Sequence, residues 1–202
     1  MTRLIVISSE NDIAGEIRYI HNLFEQGMEL FHLRKPHWTA YEQETFLKRI
    51  DSCFYPKISL HQHHEQAMTS GLNHIHMHAM ARETNGDKMD EPLNCIKSTS
   101  FHSYAEIISC RKNFDYAFLS PVFTSISKPG YTQNIDPDLI IDQRIPVKIF
   151  GLGGINSRNA QSVLARGFYG VAVLGSIWND PAKACANFNE LKNVCNNNVH
   201  MY

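Results

Sequence analysis

Phe150-Gly151-Leu152-Gly153-Gly154-Ile155-Asn156 is the stretch of sequence that best indicates the fold. The apolar run 147–150 leads into its glycines, and a polar cap then opens an amphipathic segment. Gly170-Val171-Ala172-Val173-Leu174-Gly175-Ser176-Ile177 repeats this plan further along the chain. Glycines at the ends of consecutive strands let backbone N–H groups approach an anion, because no Cβ stands in the way. The repeat predicts a phosphate held between neighbouring strand ends, as in many (β/α)8 barrels.

Short apolar runs alternate with amphipathic segments over most of the 202 residues. The first helix is predicted to begin at Asn11 or Asp12, and the polar stretches 84–92 and 124–138 are predicted loops. Alternation of this kind favours an α/β fold, a single (β/α)8 TIM barrel formed by residues 1–202, over a doubly wound sheet. The predicted strands are 4–7, 30–33, 57–60, 74–77, 97–101, 116–119, 147–150 and 170–173.

Composition argues against several classes of protein. A formal net charge of −1 gives no reason to expect nucleic acid as a partner. The apolar runs fall short of the roughly 20 residues that a membrane span needs, and the first residues lack the features of a signal peptide. The five cysteines are scattered without a Cys-x-x-Cys pair, as is usual for reduced thiols. We expect a soluble cytoplasmic protein with no membrane partner, and a homo-oligomer is compatible with the sequence.

Residues suited to ligand binding follow the predicted strands at their C-terminal ends, where the active sites of such barrels lie. Arg34 follows the second strand, Ser100 lies at the end of the fifth, and Lys128 follows the sixth within a long polar loop. Cationic groups, hydroxyls and exposed amides at one rim suit an anionic ligand rich in heteroatoms.

The order of these motifs resembles the family of thiamine phosphate synthase and its relative TenI, a thiazole tautomerase. The matching motifs are His32-Leu33-Arg34, Ser100-Phe101-His102-Ser103, the run Asp115-Tyr116-Ala117-Phe118-Leu119-Ser120-Pro121-Val122-Phe123, the loop residues Ser125, Ser127 and Lys128, and the glycine motifs Gly153-Gly154-Ile155 and Gly170-Val171-Ala172-Val173. The resemblance covers nearly the whole chain and implies a thiamine-biosynthesis protein that binds a phosphorylated thiazole or thiamine phosphate.

The resemblance also suggests how the ligand is held. Phosphate is expected at the glycine turns, the thiazole near the serines of the long loop, and any second anionic group near Arg34 and Lys128. Lys128 is also a predicted catalytic residue. The predicted substrate-binding residues are Arg34, Ser100, Ser125, Ser127, Gly153, Gly154, Gly175 and Ser176.

The chain departs from the family pattern at several functional positions. The synthase joins a pyrimidine diphosphate to a thiazole phosphate with Mg²⁺ held by carboxylates, and those positions fall on Gln62 and about Ala81. A second cation of the family falls on Pro36, where adjacent Lys35 is a candidate replacement, and the tautomerase histidine falls on Pro121. We therefore expect a TenI-like tautomerase. The alternatives are a synthase, which would require Mg²⁺, and a catalytically silent regulator that binds thiazole phosphate. No cofactor is certain.

Histidines form the other unusual pattern. His74, His76 and His78 alternate along the fourth strand, and His61 and His63 are spaced to share a face of the third. If these faces point into the barrel, His76 is the predicted acid–base residue, since imidazole transfers protons near neutral pH. The alternatives are ordinary hydrogen-bonded or outward-facing histidines, and convergence on zinc. No metal ligand is assigned.

Overall fold

The predicted TIM barrel is confirmed. A computed structural model describes residues 2–84, 95–124 and 135–197. The strands are β1 (Leu4–Ile7), β2 (Phe31–Leu33), β3 (Ile58–Leu60), β4 (His74–Met77), β5 (Ile96–Phe101), β6 (Tyr116–Leu119), β7 (Lys148–Leu152) and β8 (Gly170–Val173). All neighbours are parallel and consecutive in sequence, and β8 pairs with β1 to close the barrel.

Helices cover the outside of the barrel. They are α1 (Glu16–Glu25), α2 (Ala40–Leu47), α3 (Glu65–Ser70), α4 (Ala79–Thr84), α5 (Tyr104–Ser109), α6 (Ala160–Ala165), α7 (Gly175–Trp178) and α8 (Ala184–Asn197), with 3-10 turns at Ser52–Lys57 and Pro181–Lys183. Thr39 and Glu42 form a complete capping box at the start of α2. Within the described ranges, no helix has the length and apolar character that crossing a bilayer requires.

Alternation along the strands divides the core into two layers. One set of side chains faces the helices in a large apolar cluster that includes Val6, Phe31 and Leu60. The other set faces the barrel axis, and its apolar members are Ile5, Ile7, Leu30, Tyr116, Phe118, Phe150 and Ala172. In β2 to β5 the buried polar side chains on this inner side are His32, Ser59, His76 and Ser98. The interior therefore has an apolar half and a polar half.

Two predicted boundaries are wrong by two residues or more. Helix α1 begins at Glu16 rather than near Asn11, because Gly15 with a φ of 72° occupies the N-cap and directs the preceding loop away from the helix. Strand β7 continues to Leu152, since Gly151 remains in register with Leu119 on one side and Val171 on the other. The glycine turn therefore begins at Gly153.

Candidate active site

A cavity of about 410 Å³ opens at the C-terminal ends of the strands, where barrel enzymes place their active sites. The predicted residues Ser125, Ser127 and Lys128 lie outside the described residues. The other predicted site residues all line this cavity: Arg34, His76, Ser100, Gly153, Gly154, Gly175 and Ser176. The barrel thus brings together side chains and glycines from β2, β4, β5, β7 and β8.

The glycine turn after β7 packs directly on the segment that follows β6. Gly153 and Gly154 have φ values of 102° and 65°. A Cβ on Gly153 would meet Pro121 Cα at 2.9 Å, and one on Gly154 would meet the Thr124 carbonyl oxygen at 2.7 Å. Both glycines are therefore required by backbone conformation and close packing, whether or not an anion is bound.

Ser176 contributes a hydroxyl to this end of the cavity. It follows β8 in the first turn of α7, where backbone N–H groups lack partners within the helix. Its Oγ is buried, and no described residue is within hydrogen-bonding geometry of it. A buried hydroxyl without a partner is unfavourable, so an oxygen-rich anion fits this position.

The opposite wall contains a group of buried histidines. The ring of His32 is hydrogen-bonded through Nδ1 to His61 Nε2 at 2.9 Å and through Nε2 to the Tyr116 hydroxyl at 2.8 Å. His61 in turn stacks on His76, with ring centroids 4.1 Å apart. His61 and His76 line the cavity, while His32 is fully buried beneath them.

The hydrogen bonds of His76 indicate which ring nitrogen carries its proton. The Ser98 hydroxyl donates to the Ile75 carbonyl at 3.3 Å, so its oxygen is available to accept from His76 Nδ1 at 2.8 Å. His76 Nε2 then accepts from the Ser100 hydroxyl at 3.0 Å. His76 therefore directs an unprotonated Nε2 towards the Ser100 side of the site.

Burial keeps the three histidines neutral. Desolvation, followed by electrostatic interactions with His78, His64 and Arg34, lowers the pKa of His76 to about 3. Desolvation likewise holds the pKa values of His32 and His61 well below the usual histidine value. At neutral pH each ring has one unprotonated nitrogen, which can accept a hydrogen bond or bind a metal ion.

The other histidines predicted for the third and fourth strands lie in different parts of the structure. His78 lines the cavity with His76, whereas His74 lies in a second depression beside Thr2 and Asp115, at the N-terminal end of β4. The expected pairing of His61 with His63 along β3 is wrong, because β3 ends at Leu60. His63 instead adopts a φ of 50° and bonds the Trp38 carbonyl through Nε2.

Arg34 reaches the cavity, but it is paired. Its Nη1 donates to Glu10, which also lines the cavity and which the sequence did not single out. Lys35 cannot serve as the second cation. Its side chain is fully buried away from the cavity, where Nζ contacts Glu16 at 2.7 Å and the Asn11 carbonyl at 2.9 Å. A lysine buried with its own carboxylate is satisfied structurally and is unavailable to a ligand.

The described residues do not fit a magnesium site of the kind that the family resemblance implies. Mg²⁺ prefers carboxylate and phosphate oxygens. Glu10 is the one acidic residue among those lining the cavity in the described ranges, and Arg34 already binds it. Gln62 is a neutral amide whose Nε2 donates to the Lys35 carbonyl, and Ala81 has no ligand atom.

The sequence patterns do not single out every residue of this wall. His32 belongs to a family motif without an assigned role, and nothing in the sequence assigns a role to Tyr116 or Ser98. Each occupies an inward position of its strand, which the alternation of β2, β5 and β6 would have indicated once the inner face was known.

Comparison with known proteins agrees with this geometry. Residues 4–177 match the family model for thiamine monophosphate synthase. A thiamine-phosphate synthase of Bacillus velezensis is 27% identical over 200 residues, covering 92% of this chain and 88% of that protein. One from Chloroflexus aurantiacus is 30% identical over 102 residues, and that match spans 49% of this chain but less than half, 44%, of its relative.

Structural similarity extends over the whole barrel. A crystal structure of thiamine phosphate pyrophosphorylase from Bacteroides thetaiotaomicron has 27% sequence identity and a TM-score of 0.73, with 96% of this chain and 98% of that chain covered. The family match begins with β1 and ends within α7, so it includes every strand that contributes to the cavity. This chain belongs to the thiamine monophosphate synthase family.

Proposed function

We propose that this chain is a thiamine-phosphate synthase, which joins a pyrimidine diphosphate to a thiazole phosphate. Similarity to proteins of that name over most of the chain supports this reaction above the tautomerase expected from the sequence. In the reaction the thiazole nitrogen attacks the pyrimidine methylene carbon. The bond from that carbon to the diphosphate oxygen breaks, and diphosphate leaves with the electron pair.

The observation that carries the proposal is the buried hydroxyl of Ser176, which has no hydrogen-bond partner in the described part of the chain. It lies beside the glycine turn at the ends of β7 and β8, in the wall of the cavity. A thiazole phosphate placed there would give this hydroxyl an acceptor and would receive amide N–H groups from the first turn of α7. The phosphate would thus fix the thiazole ring with its nitrogen towards the middle of the cavity.

Arg34 would receive the second anionic group. Its guanidinium is paired with Glu10 at the cavity wall, so an incoming diphosphate would compete with this carboxylate for the same donors. Lys128, predicted from the loop after β6, would supply a further positive charge. The poor fit to magnesium leaves these two cations as the groups proposed to stabilise the departing diphosphate.

The histidine wall would hold the pyrimidine without adding charge. His61 and His76 are neutral, and His76 offers an unprotonated Nε2 beside Ser100. Neutral imidazoles and hydroxyls can donate to and accept from ring nitrogens and amino groups. This arrangement suits a heteroaromatic ring between Phe118 and the phosphate end.

The tautomerase is the second candidate, and the position of His76 beside Ser100 is what favours it. Moving a double bond in the thiazole ring requires a group that removes a proton and a group that returns one. His76 Nε2 accepts from the Ser100 hydroxyl and would serve both steps, although burial, which lowers the pKa of His76 to about 3, makes it a weak base in the free protein. This would replace the family histidine that is Pro121 in this chain.

Turnover assays separate these reactions. The full chain is supplied with both phosphorylated precursors and Mg²⁺, and thiamine phosphate is followed by chromatography in wild type, Lys128→Ala and His76→Ala. His63→Ala is the matched control, because its ring bonds the Trp38 carbonyl outside the cavity wall. We expect coupling by wild type and the control, and at least a tenfold loss in Lys128→Ala, about the effect of one charge-assisted hydrogen bond.

Other results would point elsewhere. Absence of coupling, together with His76-dependent conversion between thiazole tautomers, would replace the synthase by the tautomerase. Binding of thiamine phosphate without turnover of any precursor would contradict both reactions and leave the silent regulator.

A further inference from the structure

We propose that His32, His61 and His76 form a binding site for a divalent transition-metal ion, with zinc as the ion best suited to the ligands. One ring nitrogen of each histidine lies within 4.8 Å of the others. In the described part of the chain this is the one group of three potential side-chain ligands with such spacing. Imidazole nitrogen is a good ligand for zinc and a poor one for magnesium. The site is therefore distinct from the carboxylate site that the family resemblance implies.

The existing distances require only small movements to bind an ion. Zinc–nitrogen bonds of about 2.0–2.1 Å in a tetrahedron place two ligand nitrogens about 3.3 Å apart. His32 Nδ1 and His61 Nε2 are 2.9 Å apart, so they would separate slightly as the ion replaces the proton between them. His76 stacks against His61 and would close the remaining gap by rotation of its ring about the Ser98 hydrogen bond, with loss of the hydrogen bond from Ser100.

Hydrogen bonds on the far side of two rings already orient them as ligands. Tyr116 bonds Nε2 of His32 at 2.8 Å, and Ser98 bonds Nδ1 of His76 at 2.8 Å. The ion would then bind Nδ1 of His32 in place of the proton shared with His61, and Nε2 of His76 in place of the Ser100 hydroxyl that now donates to it. Metal-binding histidines usually have such an outer partner, which fixes the ring and the position of its proton.

The fourth coordination position would face the ligand cavity. His61 and His76 line that cavity, and the Ser100 hydroxyl lies 3.0 Å from His76 Nε2 on the same side. Three protein ligands with one open position are typical of catalytic rather than structural zinc. Because the three histidines contribute no negative charge, a bound ion would make this otherwise neutral wall positive and would attract an anionic ligand into the cavity.

Cobalt provides a direct test, because Co²⁺ absorbs visible light strongly when four- or five-coordinate. The untagged full-length chain is titrated with Co²⁺, then with Zn²⁺, and separately with excess Mg²⁺. We expect one Co²⁺ per chain with visible ligand-field bands, which Zn²⁺ abolishes and Mg²⁺ leaves unchanged, since zinc binds nitrogen ligands more tightly than cobalt. Absence of bands at saturating Co²⁺ would overturn the proposal and leave the histidines as a hydrogen-bonded network.

Variants locate the ion. His61→Asn should weaken Co²⁺ binding more than Tyr116→Phe, which removes only an outer hydroxyl and should weaken it about 10- to 100-fold. His74→Ala and His63→Ala are controls, since both side chains lie outside the cluster. Circular dichroism would reveal misfolding of the His61 variant. Tyr116→Phe keeps the volume of the ring, so it still tests the site in that case. Bands lost in a control but kept in both cluster variants would refute the site, and this readout is independent of any turnover.

Discussion

Single side chains determine the chemistry of the cavity, because burial leaves each polar atom few partners. His76 illustrates a satisfied group, as both of its ring nitrogens have serine partners. Ser176 illustrates the opposite, since its buried hydroxyl has none among the described residues. A satisfied group stabilises the fold, whereas an unsatisfied one is free to bind a ligand at little cost to the protein.

Replacement of Ser176 by Ala should separate ligand binding from stability. We expect the affinity for thiamine phosphate to fall about 10- to 100-fold, because hydrogen bonds to charged groups contribute about 1.5–3 kcal/mol. The free variant should be at least as stable as wild type, since an unpaired buried hydroxyl is removed. Isothermal titration calorimetry and thermal unfolding without ligand measure the two effects. Unchanged affinity would mean that the phosphate does not contact this hydroxyl.

Among the secondary-structure elements, the end of β7 and the segment after β6 are joined by backbone hydrogen bonds. Val122 N donates to the Leu152 carbonyl at 2.9 Å, and Phe123 N donates to the Gly153 carbonyl at 3.1 Å. The glycine turn can approach so closely because Gly153 and Gly154 lack side chains. The geometry of the proposed phosphate site therefore depends on the segment that precedes the long loop, as well as on β7 and β8.

Gly154→Ala should test this dependence. The added Cβ would lie 2.7 Å from the Thr124 carbonyl oxygen in a backbone with a φ of 65°. We expect the free energy of unfolding to fall by about 2–4 kcal/mol, from backbone strain and steric overlap together. Urea denaturation measures this free energy of unfolding.

Gly71→Ala is the matched control. Gly71 has a φ of 74° at the end of α3, but a Cβ there would meet nothing within 4 Å. Its substitution should cost only the backbone strain, about 1–2 kcal/mol. Equal losses of unfolding free energy in the two variants would show that contact between the glycine turn and the segment after β6 adds nothing to stability.

At the scale of the whole molecule, the barrel interior is polar on the side of β2 to β5 and apolar on the side of β6 to β8. The polar half buries His32, His61 and His76 without a carboxylate among their hydrogen-bond partners. Removing these rings from water is tolerated because they stay neutral and bond to each other, to Tyr116 and to serines. The stability of the fold consequently depends on pH.

Acid should destabilise the protein before its carboxylates are protonated. In the unfolded chain a histidine has a pKa of about 6.5, whereas burial lowers the folded pKa of His76 to about 3. The unfolded state therefore binds the extra proton between these values. Stability is complete above the unfolded pKa and falls as the pH drops through this window, by about 1.4 kcal/mol per pH unit for each such histidine.

His76→Gln should reduce that slope. Glutamine cannot take up the proton, so the loss of unfolding free energy between about pH 6.5 and pH 5 should be smaller by about 1.4 kcal/mol per pH unit than in wild type. Urea denaturation at a series of pH values gives the difference between the two proteins, in which unaffected groups cancel. A slope identical to that of wild type would mean that His76 is accessible to protons in the folded state.

The order of the elements and most of the described site follow from local patterns in the sequence. Strands and helices alternate because apolar runs and amphipathic segments alternate, and parallel strands joined in this way place all their C-terminal ends at one rim. Arg34, Ser100, Gly153 and Ser176 could therefore be assigned to one cavity without coordinates. The local patterns misplace the start of α1 and the end of β7. Gly15, in the left-handed conformation, sets the start of the helix, and pairing of Gly151 with Leu119 extends the strand.

Which histidines come into contact depends on the closed barrel. A period of two places His74 and His76 on one face, but it does not say which face is inner or how far each lies along the barrel axis. In register, His32 is opposite Ser59 and His76 is opposite Ser98, and the tilt of the strands brings the rings of His32, His61 and His76 together. Register and tilt arise from closure of all eight strands, and no local stretch of sequence contains that information.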